Sequence, residues 1–161
     1  MKKIQISIEI QVFDSVRELS IEDQILIEAS KKSMKNAYAP YSRFKVGVAL
    51  RMNDGKIISG NNQENAAYPS GLCAERVAIF YAMAQFPEGK ISTIAISALS
   101  DKGNINSLVS PCGACRQAIS EYEIKQGEPI KIMMQGEDEK IYVSTSIELL
   151  LPLMFNKSNL E

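Results

Sequence analysis

The three cysteines of this chain constrain its fold more than any other feature. Cys73 lies in one polar segment, Cys112 and Cys115 lie together in a later one, and the chain contains no histidine. A C-x-x-C spacing with one remote cysteine provides three sulfur ligands, which is the ligand type that Zn²⁺ prefers. We therefore expect a fold that brings the two segments to one point.

Composition bounds the class of protein. The chain has 161 residues, of which 45% are hydrophobic and 23% charged, and these values predict one globular domain over residues 1–161. Within it, residues 1–19 are expected to form an N-terminal extension and residues 156–161 a frayed tail. The net charge of -1 predicts no nucleic-acid partner and favours a small neutral substrate. The odd cysteine count, the interrupted apolar pattern of the N-terminus and the lack of a long apolar run predict a cytoplasmic protein with no membrane partner.

Apolar periodicity predicts the first two elements. Ile4 to Val12 alternate between apolar and polar residues, which indicates a strand at a sheet edge of the same chain or in contact with another copy. Ser20 and Asp23 resemble a capping box, and the helix that follows should end near Asn36. Its buried face is predicted to consist of Ile21, Ile25, Leu26, Ala29 and Met34.

Turn residues and further apolar runs predict the remaining elements. Asn53-Asp54-Gly55 is typical of a hairpin turn between strands over 46–50 and 56–61. A helix over 72–85 should bury Val77, Phe80, Tyr81 and Ala84. The later elements are an interior strand over 91–99, a polar loop over 101–107, a helix from about Pro111, strands over 130–134 and 140–143, and a short helix that Thr145 or Ser146 caps and Pro152 ends. This order predicts an α/β fold with a mixed sheet and helices on both faces.

The residues around the cysteines predict catalytic rather than structural metal chemistry. With three thiolates and no fourth cysteine or histidine, one coordination position stays open for water. Three thiolates leave zinc with a net charge of about -1, so a cation should offset them; Arg76 and Arg116 are the two candidates. Glu75, two residues after Cys73, is placed to carry protons at the open position.

These motifs resemble those of the homotetrameric zinc-dependent cytidine deaminases. Cys73-Ala74-Glu75 followed by Pro111-Cys112-x-x-Cys115 matches the zinc nucleoside deaminase signature. Further matches in family order are Tyr41-Ser42-x-Phe44-x-Val46-Gly47, Asn62-x-Glu64-Asn65-Ala66, Tyr68-Pro69 and Cys115-Arg116-Gln117. The resemblance implies a three-layer αβα sandwich with a mixed, mostly five-stranded sheet, to which the N-terminal strand is extra.

The resemblance also implies an activity and a role for each site residue. The implied reaction is hydrolytic deamination of cytidine and 2′-deoxycytidine to uridine and 2′-deoxyuridine, with one zinc ion per chain on Cys73, Cys112 and Cys115 and with Glu75 as the proton carrier. The implied substrate-binding residues are Asn62 and Glu64 at the ribose, Phe44 at the pyrimidine, Ala74, and Phe155, which would complete a neighbouring subunit's site in a homotetramer. Arg76, Arg116 and Gln117 are implied to support the metal ligands. Plain core packing remains an alternative for Phe44 and Phe155.

Other functions remain open at this point. A sister enzyme could act on another aminopyrimidine nucleoside such as blasticidin S. A non-catalytic zinc module would need four protein ligands. A redox protein that uses Cys112 and Cys115 would leave Cys73, Glu75 and Asn62 without a role.

Overall fold

A six-stranded mixed sheet forms the centre of the molecule. The computed structural model describes residues 1–103 and 108–160. Its strands and helices are β1 Gln11–Phe13, α1 Ile21–Met34, β2 Phe44–Met52, β3 Ile57–Asn61, α2 Ala74–Gln85, β4 Ile91–Ser100, α3 Gly113–Gln126, β5 Lys131–Gln135 and β6 Ile141–Ser144. Short 3-10 turns cover Val16–Glu18, Tyr68–Ser70, Ile147–Leu150 and Lys157–Asn159. The strand order is β1-β6-β5-β4-β2-β3; β4 and β5 are parallel and the other described pairs are antiparallel.

Alternation along the central strands creates two cores and hence three layers. On one face Val48, Leu50, Ile94 and Ile96 pack with α2 and α3, through residues such as Ile79 and Ile119. On the other face Ala49, Ala95 and Met133 pack with Leu26 and Ile27 of α1. Because both faces are covered, these strands are apolar at nearly every position, as the near-continuous runs of the sequence predict. The predicted αβα sandwich is confirmed.

The helix α1 begins as predicted but buries a different face. The Ser20 hydroxyl accepts a hydrogen bond from the Asp23 N–H at 3.3 Å, so Ser20 is the N-cap. Of the predicted face, Leu26 is buried, Ala29 and Met34 are half-buried, and Ile21 and Ile25 are exposed. The other buried residues of the helix are Asp23, Ile27, Ser30 and Ser33. The reason is the close approach of the helix to β2: a Cβ built on Gly47 would lie 2.2 Å from the Ser30 carbonyl oxygen. Near this contact the buried residues are the small Ser30 and Ser33, and Leu26 and Ile27 fill the rest of the same face, so Ile21 and Ile25 face outward.

The predicted face of α2 is wrong for the same physical reason. Phe80 and Tyr81 are 42% and 58% exposed, and Ala84 is exposed, while the sheet-facing stripe consists of Ala74, Ala78, Ile79, Ala82 and Met83. A Cβ built on Gly60 of β3 would lie 2.7 Å from the Ala78 amide nitrogen. Backbone contact of this kind requires alanines on the helix, so the larger apolar residues face away from the sheet.

The N-terminal strand is much shorter than predicted. Gln11, Val12 and Phe13 pair with Val143, Tyr142 and Ile141 of β6, and residues 1–10 lie outside any strand. β6 ends at Ser144, so a longer N-terminal strand would have no further residues of β6 with which to pair. The side chain of Ile4 is 91% exposed. The expectation of a strand over 4–12 is corrected to these three residues, and contact of residues 1–10 with another copy stays a prediction.

The turns and later elements follow the sequence closely. The hairpin turn at Asn53-Asp54-Gly55 is confirmed, with Gly55 at a φ of 87°. Ser146 caps the last predicted helix, which is a 3-10 turn. The predicted polar loop over 101–107 lies partly outside the described residues. In the described ranges, no helix has both the length and the apolar character needed to cross a membrane.

Candidate active site

The two cysteine segments meet at the N-termini of two helices. Cys73 is the N-cap of α2 and Cys112 is the N-cap of α3, both with extended backbone, and Cys115 lies buried in the first turn of α3. Neither N-cap thiol makes a capping hydrogen bond, so both sulfurs remain available. The positive ends of the two helix dipoles favour thiolates at this point.

The sulfur geometry fits one tetrahedral metal ion. The Sγ atoms of Cys112 and Cys115 lie 3.4 Å apart and those of Cys73 and Cys112 lie 3.8 Å apart, and all three lie within 4.8 Å of one another. Zinc–sulfur bonds of about 2.3 Å at tetrahedral angles place sulfurs about 3.8 Å apart. Within the described ranges this is the one cluster of metal-ligating side chains found, and all three cysteines are free thiols.

Hydrogen bonding and charge shift the pKa values of Cys73 and Cys115 in opposite directions. The hydrogen bond with the Cys115 thiol, aided by Arg76 and opposed by burial, lowers the pKa of Cys73 to about 5. The same bond, together with burial, raises the pKa of Cys115. The Arg76 Nη2 atom lies 3.7 Å from the Cys73 sulfur. Of the two candidate arginines, Arg76 is therefore the one that contacts the cysteine trio.

Glu75 is buried beside this cluster. Its residue surface is only 6% exposed. Loss of hydration on burial raises the pKa of Glu75, and the negative charge of Cys73 adds to the rise. A carboxyl group with a raised pKa can both accept and return a proton near neutral pH.

Arg116 has a different role from Arg76. Its guanidinium donates hydrogen bonds to the Pro111 carbonyl at 2.7 Å, the Leu150 carbonyl at 2.7 Å and the Ser110 hydroxyl at 2.8 Å. It therefore ties the segment before Cys112 to the C-terminal 3-10 turn, and the expectation that it could bind the thiolates is not met. Gln117 similarly donates to the Phe155 carbonyl at 2.8 Å.

An open cleft of about 400 Å³ adjoins Cys73. Its lining comprises Tyr41, Ser42, Asn62, Gln63, Glu64, Asn65, Tyr68, Gly71, Leu72, Cys73 and Arg76. The cleft thus brings together the first metal-ligand candidate, its arginine and both predicted ribose-binding residues. A nucleoside-sized molecule fits a cleft of this volume.

Both predicted ribose-binding residues are held by the strand and loop around residue 44. The Asn62 amide donates to the Phe44 carbonyl at 2.9 Å and accepts from the Val46 N–H at 2.8 Å. The Glu64 carboxylate accepts from the N–H groups of Tyr41 and Ser42. Burial acts to raise the pKa of Glu64, but the hydrogen bonds from Ser42 and Tyr41 outweigh it and lower that pKa. Glu64 is therefore an ionised acceptor in the cleft.

Three other predicted substrate-binding residues lie outside the lining of the cleft in the described chain. Phe44 is half-buried at the start of β2. Ala74 is fully buried in the core under α2. Phe155 is 58% exposed near the C-terminus. Their roles at a substrate stay predictions.

Sequence reasoning missed part of the cleft wall. Tyr41, Ser42 and Leu72 line it, and the rings of Tyr41 and Tyr68 lie 6.4 Å apart at a tilt of 58°. The signal was present in Tyr41-Ser42-x-Phe44, whose order matches a known motif, but its contact with Glu64 requires the fold. The fold and this site define an αβα protein with three cysteines at two helix N-termini that could hold a metal ion.

Comparison with known proteins assigns the family. Residues 20–127 match the family described as the cytidine and deoxycytidylate deaminase zinc-binding region. The chain belongs to this family, and zinc is accordingly the cofactor that the cysteine trio can hold.

Curated relatives and solved structures agree with that assignment. A cytidine deaminase of Halalkalibacterium halodurans is 40% identical over 124 residues, which cover 77% of this chain and 89% of that protein. A cytidine deaminase of Sporosarcina psychrophila is 41% identical over 136 residues, which cover 84% of this chain and 92% of that protein. The crystal structure of the cytidine deaminase from Burkholderia pseudomallei superposes with a TM-score of 0.70 at 39% identity, covering 81% of this chain and 97% of that one.

Proposed function

We propose that this protein is a zinc-dependent enzyme that hydrolytically deaminates cytidine and 2′-deoxycytidine to uridine and 2′-deoxyuridine, with release of ammonia. The observation that carries the proposal is the convergence of three thiols beside the buried Glu75 and a nucleoside-sized cleft. The Cys112 sulfur lies 3.4 Å from that of Cys115 and 3.8 Å from that of Cys73. Similarity to cytidine deaminases over most of the chain supports the same reaction.

Cys73, Cys112 and Cys115 would hold one zinc ion per chain. Bound zinc supplies a Lewis acid that makes water acidic near neutral pH. Arg76 offsets the charge of the thiolates, which keeps that acidity high. Since three described residues supply ligands, a fourth position is left for water, which favours a catalytic site over a structural zinc module.

Glu75 would move the protons of the reaction. Its carboxylate would accept a proton from the attacking water and deliver it to N3 of the cytosine ring. It would then take the proton of the new hydroxyl group on C4 and deliver it to the departing amino group, so each proton delivered is one accepted before. Burial of Glu75 supports this dual role, since a carboxyl group in water would hold its proton too weakly.

Asn62 and Glu64 would bind the sugar hydroxyls. An ionised carboxylate suits neutral hydroxyl donors and repels a phosphate. Arg76 is the only cationic side chain in the described lining of the cleft, and it is engaged by Cys73. The charges therefore favour an unphosphorylated nucleoside over a nucleotide.

An absorbance assay tests this function directly. Purified protein with about one zinc per chain should convert cytidine to uridine with equal release of ammonia. The Glu75→Gln variant, measured at equal zinc content, serves as the matched control and should lose the activity. Zinc without turnover of cytidine or deoxycytidine, combined with turnover of deoxycytidylate or blasticidin S, would contradict the proposed substrate class.

Assembly and location form a second part of the proposal. A homotetramer, with Phe155 and Tyr68 near neighbouring sites, is supported by exposed apolar residues that include Phe80, Tyr81, Tyr68 and Phe155. Light scattering would measure the mass, and a monomer at assay concentration would refute the tetramer. Three free thiols support a reducing compartment such as the cytoplasm, which localisation of a tagged chain would check.

A further inference from the structure

Arg43 adopts a backbone conformation that side chains disfavour. Its φ is 58°, in the left-handed region, which for residues with a Cβ is sparsely populated. Hydrogen bonds hold it on both sides: its N–H donates to the Ala39 carbonyl at 3.1 Å, and its carbonyl accepts from the Asp101 N–H at 3.0 Å. The turn at Arg43 is thus enforced by its surroundings.

The residues before this turn hold Glu64. The consecutive N–H groups of Tyr41 and Ser42 donate to the same carboxylate oxygen, Oε2, at 2.9 and 3.2 Å. Successive N–H groups that converge in this way form a small anion-binding concavity. The backbone of Glu64 is fixed as well, because its N–H donates to the Tyr38 carbonyl at 2.9 Å.

The residues after this turn hold Asn62. The Phe44 carbonyl and the Val46 N–H bind the two ends of the Asn62 amide, at 2.9 and 2.8 Å. Arg43 lies between the residues that bind Glu64 and those that bind Asn62. Its backbone angles therefore set the position of Tyr41 and Ser42 relative to β2. The guanidinium of Arg43 makes no hydrogen bond or ion pair with another residue in the described ranges.

We propose that Arg43 is a positioning residue: its left-handed backbone fixes the Glu64 carboxylate relative to the Asn62 amide, so that the cleft selects substrates by the hydroxyls of their sugar. This inference rests on the proposed function and adds the origin of its sugar selectivity. The conformation of residue 43 matters and its side chain does not. An acceptor pair held rigidly by backbone binds hydroxyls with less loss of conformational entropy than two free side chains would.

A matched pair of variants separates conformation from side chain. Arg43→Gly and Arg43→Val both remove the guanidinium, but glycine favours the left-handed region and a β-branched residue opposes it. Arg43→Gly should keep the wild-type KM for cytidine within about twofold, whereas Arg43→Val should raise it about tenfold with a smaller change in kcat. With 2′,3′-dideoxycytidine, which lacks both ring hydroxyls, the two variants and the wild type should share one KM.

The outcomes are decisive in either direction. Equal KM values of Arg43→Gly and Arg43→Val for cytidine would overturn the proposal, since the backbone conformation of residue 43 would then have no effect on binding. A rise in the KM of Arg43→Val for dideoxycytidine as large as its rise for cytidine would also overturn it, because the variant would then be damaged in a way unrelated to the sugar hydroxyls. Should Arg43→Val not fold, Arg43→Ala replaces it and should fall between wild type and the predicted valine value. If the wild type turns over no cytidine, the proposed function fails separately, and the affinity of the same variants for uridine, measured by calorimetry, tests the positioning role alone.

Discussion

The Nη2 atom of Arg76 lies 3.7 Å from the Sγ atom of Cys73, one helical turn along α2 from the N-cap. The Nε atom of the same guanidinium is buried without a hydrogen-bond partner in the described ranges. An arginine so placed gives up hydration and gains mainly the charge of the thiolates. This contact links the metal centre to the cleft, because both residues also line the cleft.

Replacement of Arg76 should weaken the metal centre. In Arg76→Ala, zinc should be lost to a chelator about 10-fold to 100-fold faster than in the wild type, because the charge on three thiolates is no longer offset. The measurement is zinc release monitored with a metal indicator. Arg116→Ala is the informative comparison. The Arg116 guanidinium binds carbonyls and a hydroxyl, so this variant should lose thermal stability rather than release zinc faster. Release rates equal to wild type in Arg76→Ala would refute the charge argument.

Replacement of Glu75 should abolish turnover and leave zinc in place. Glu75→Ala removes the proton carrier but none of the thiols, so kcat should fall by about 10²-fold to 10⁴-fold. Zinc analysis and the cytidine assay on the same sample check both statements. Glu121→Gln, an exposed carboxylate on α3, is the control and should act as wild type. Substantial activity of Glu75→Ala would remove Glu75 from the mechanism.

The buried Asp23 should stabilise the fold in a pH-dependent way. Its carboxylate binds Arg51 at 3.1 Å and also Lys131, across α1, β2 and β5. Burial acts to raise the pKa of Asp23, but the hydrogen bonds and charges of Lys131 and Arg51 outweigh it and lower that pKa. A lowered pKa means that the stabilisation is complete well above the ordinary value of 3.8 and is lost progressively as the pH falls through that value toward the depressed pKa.

We therefore expect Asp23→Asn to lower the free energy of unfolding by about 2–4 kcal/mol at neutral pH, because two cations lose their partner. The difference from wild type should shrink as the pH falls from about 5 toward the depressed pKa. Urea denaturation over a pH series measures it. Asp54→Asn is the control: Lys56 also lowers the pKa of Asp54, but the carboxylate is exposed and the pair should contribute little. A pH-independent difference would contradict the ionic explanation.

The contact of Gly47 with α1 should tolerate no side chain. In Gly47→Ala the new Cβ would meet the Ser30 carbonyl oxygen and the Met34 amide nitrogen at 2.2 and 2.3 Å, both backbone atoms. Because helix and strand must separate, we expect a loss of stability of about 3 kcal/mol or more. Gly113→Ala is the comparison, since nothing lies within 4 Å of its Cβ position. Thermal unfolding of the two metal-free variants checks the contrast, and equal melting temperatures would show that the layers can shift.

The candidate metal ligands could be identified from the sequence, because they are recognised by residue type and short spacing, and the structure brings all three together. Cys112 and Cys115 lie at the start of one helix, and Glu75 follows Cys73 at the start of another, so local helix geometry alone places each group near a helix N-terminus. The strands of the central sheet were predictable for a similar reason: burial on both faces leaves a run of apolar and small uncharged residues at Ile91–Ser100.

The tertiary structure alone decided which helix faces are buried and how the cleft is held. Phe80 and Tyr81 form an apolar stripe as plausible as that of Ala78 and Ala82, but the backbone of Gly60 lies too close for large side chains. The hydrogen bond from the Tyr41 N–H to the Glu64 carboxylate joins residues far apart in the chain, and no local sequence pattern predicts it. The candidate metal ligands can be recognised from short stretches of sequence. Packing distances and long-range hydrogen bonds are determined only when the helices and the sheet pack together.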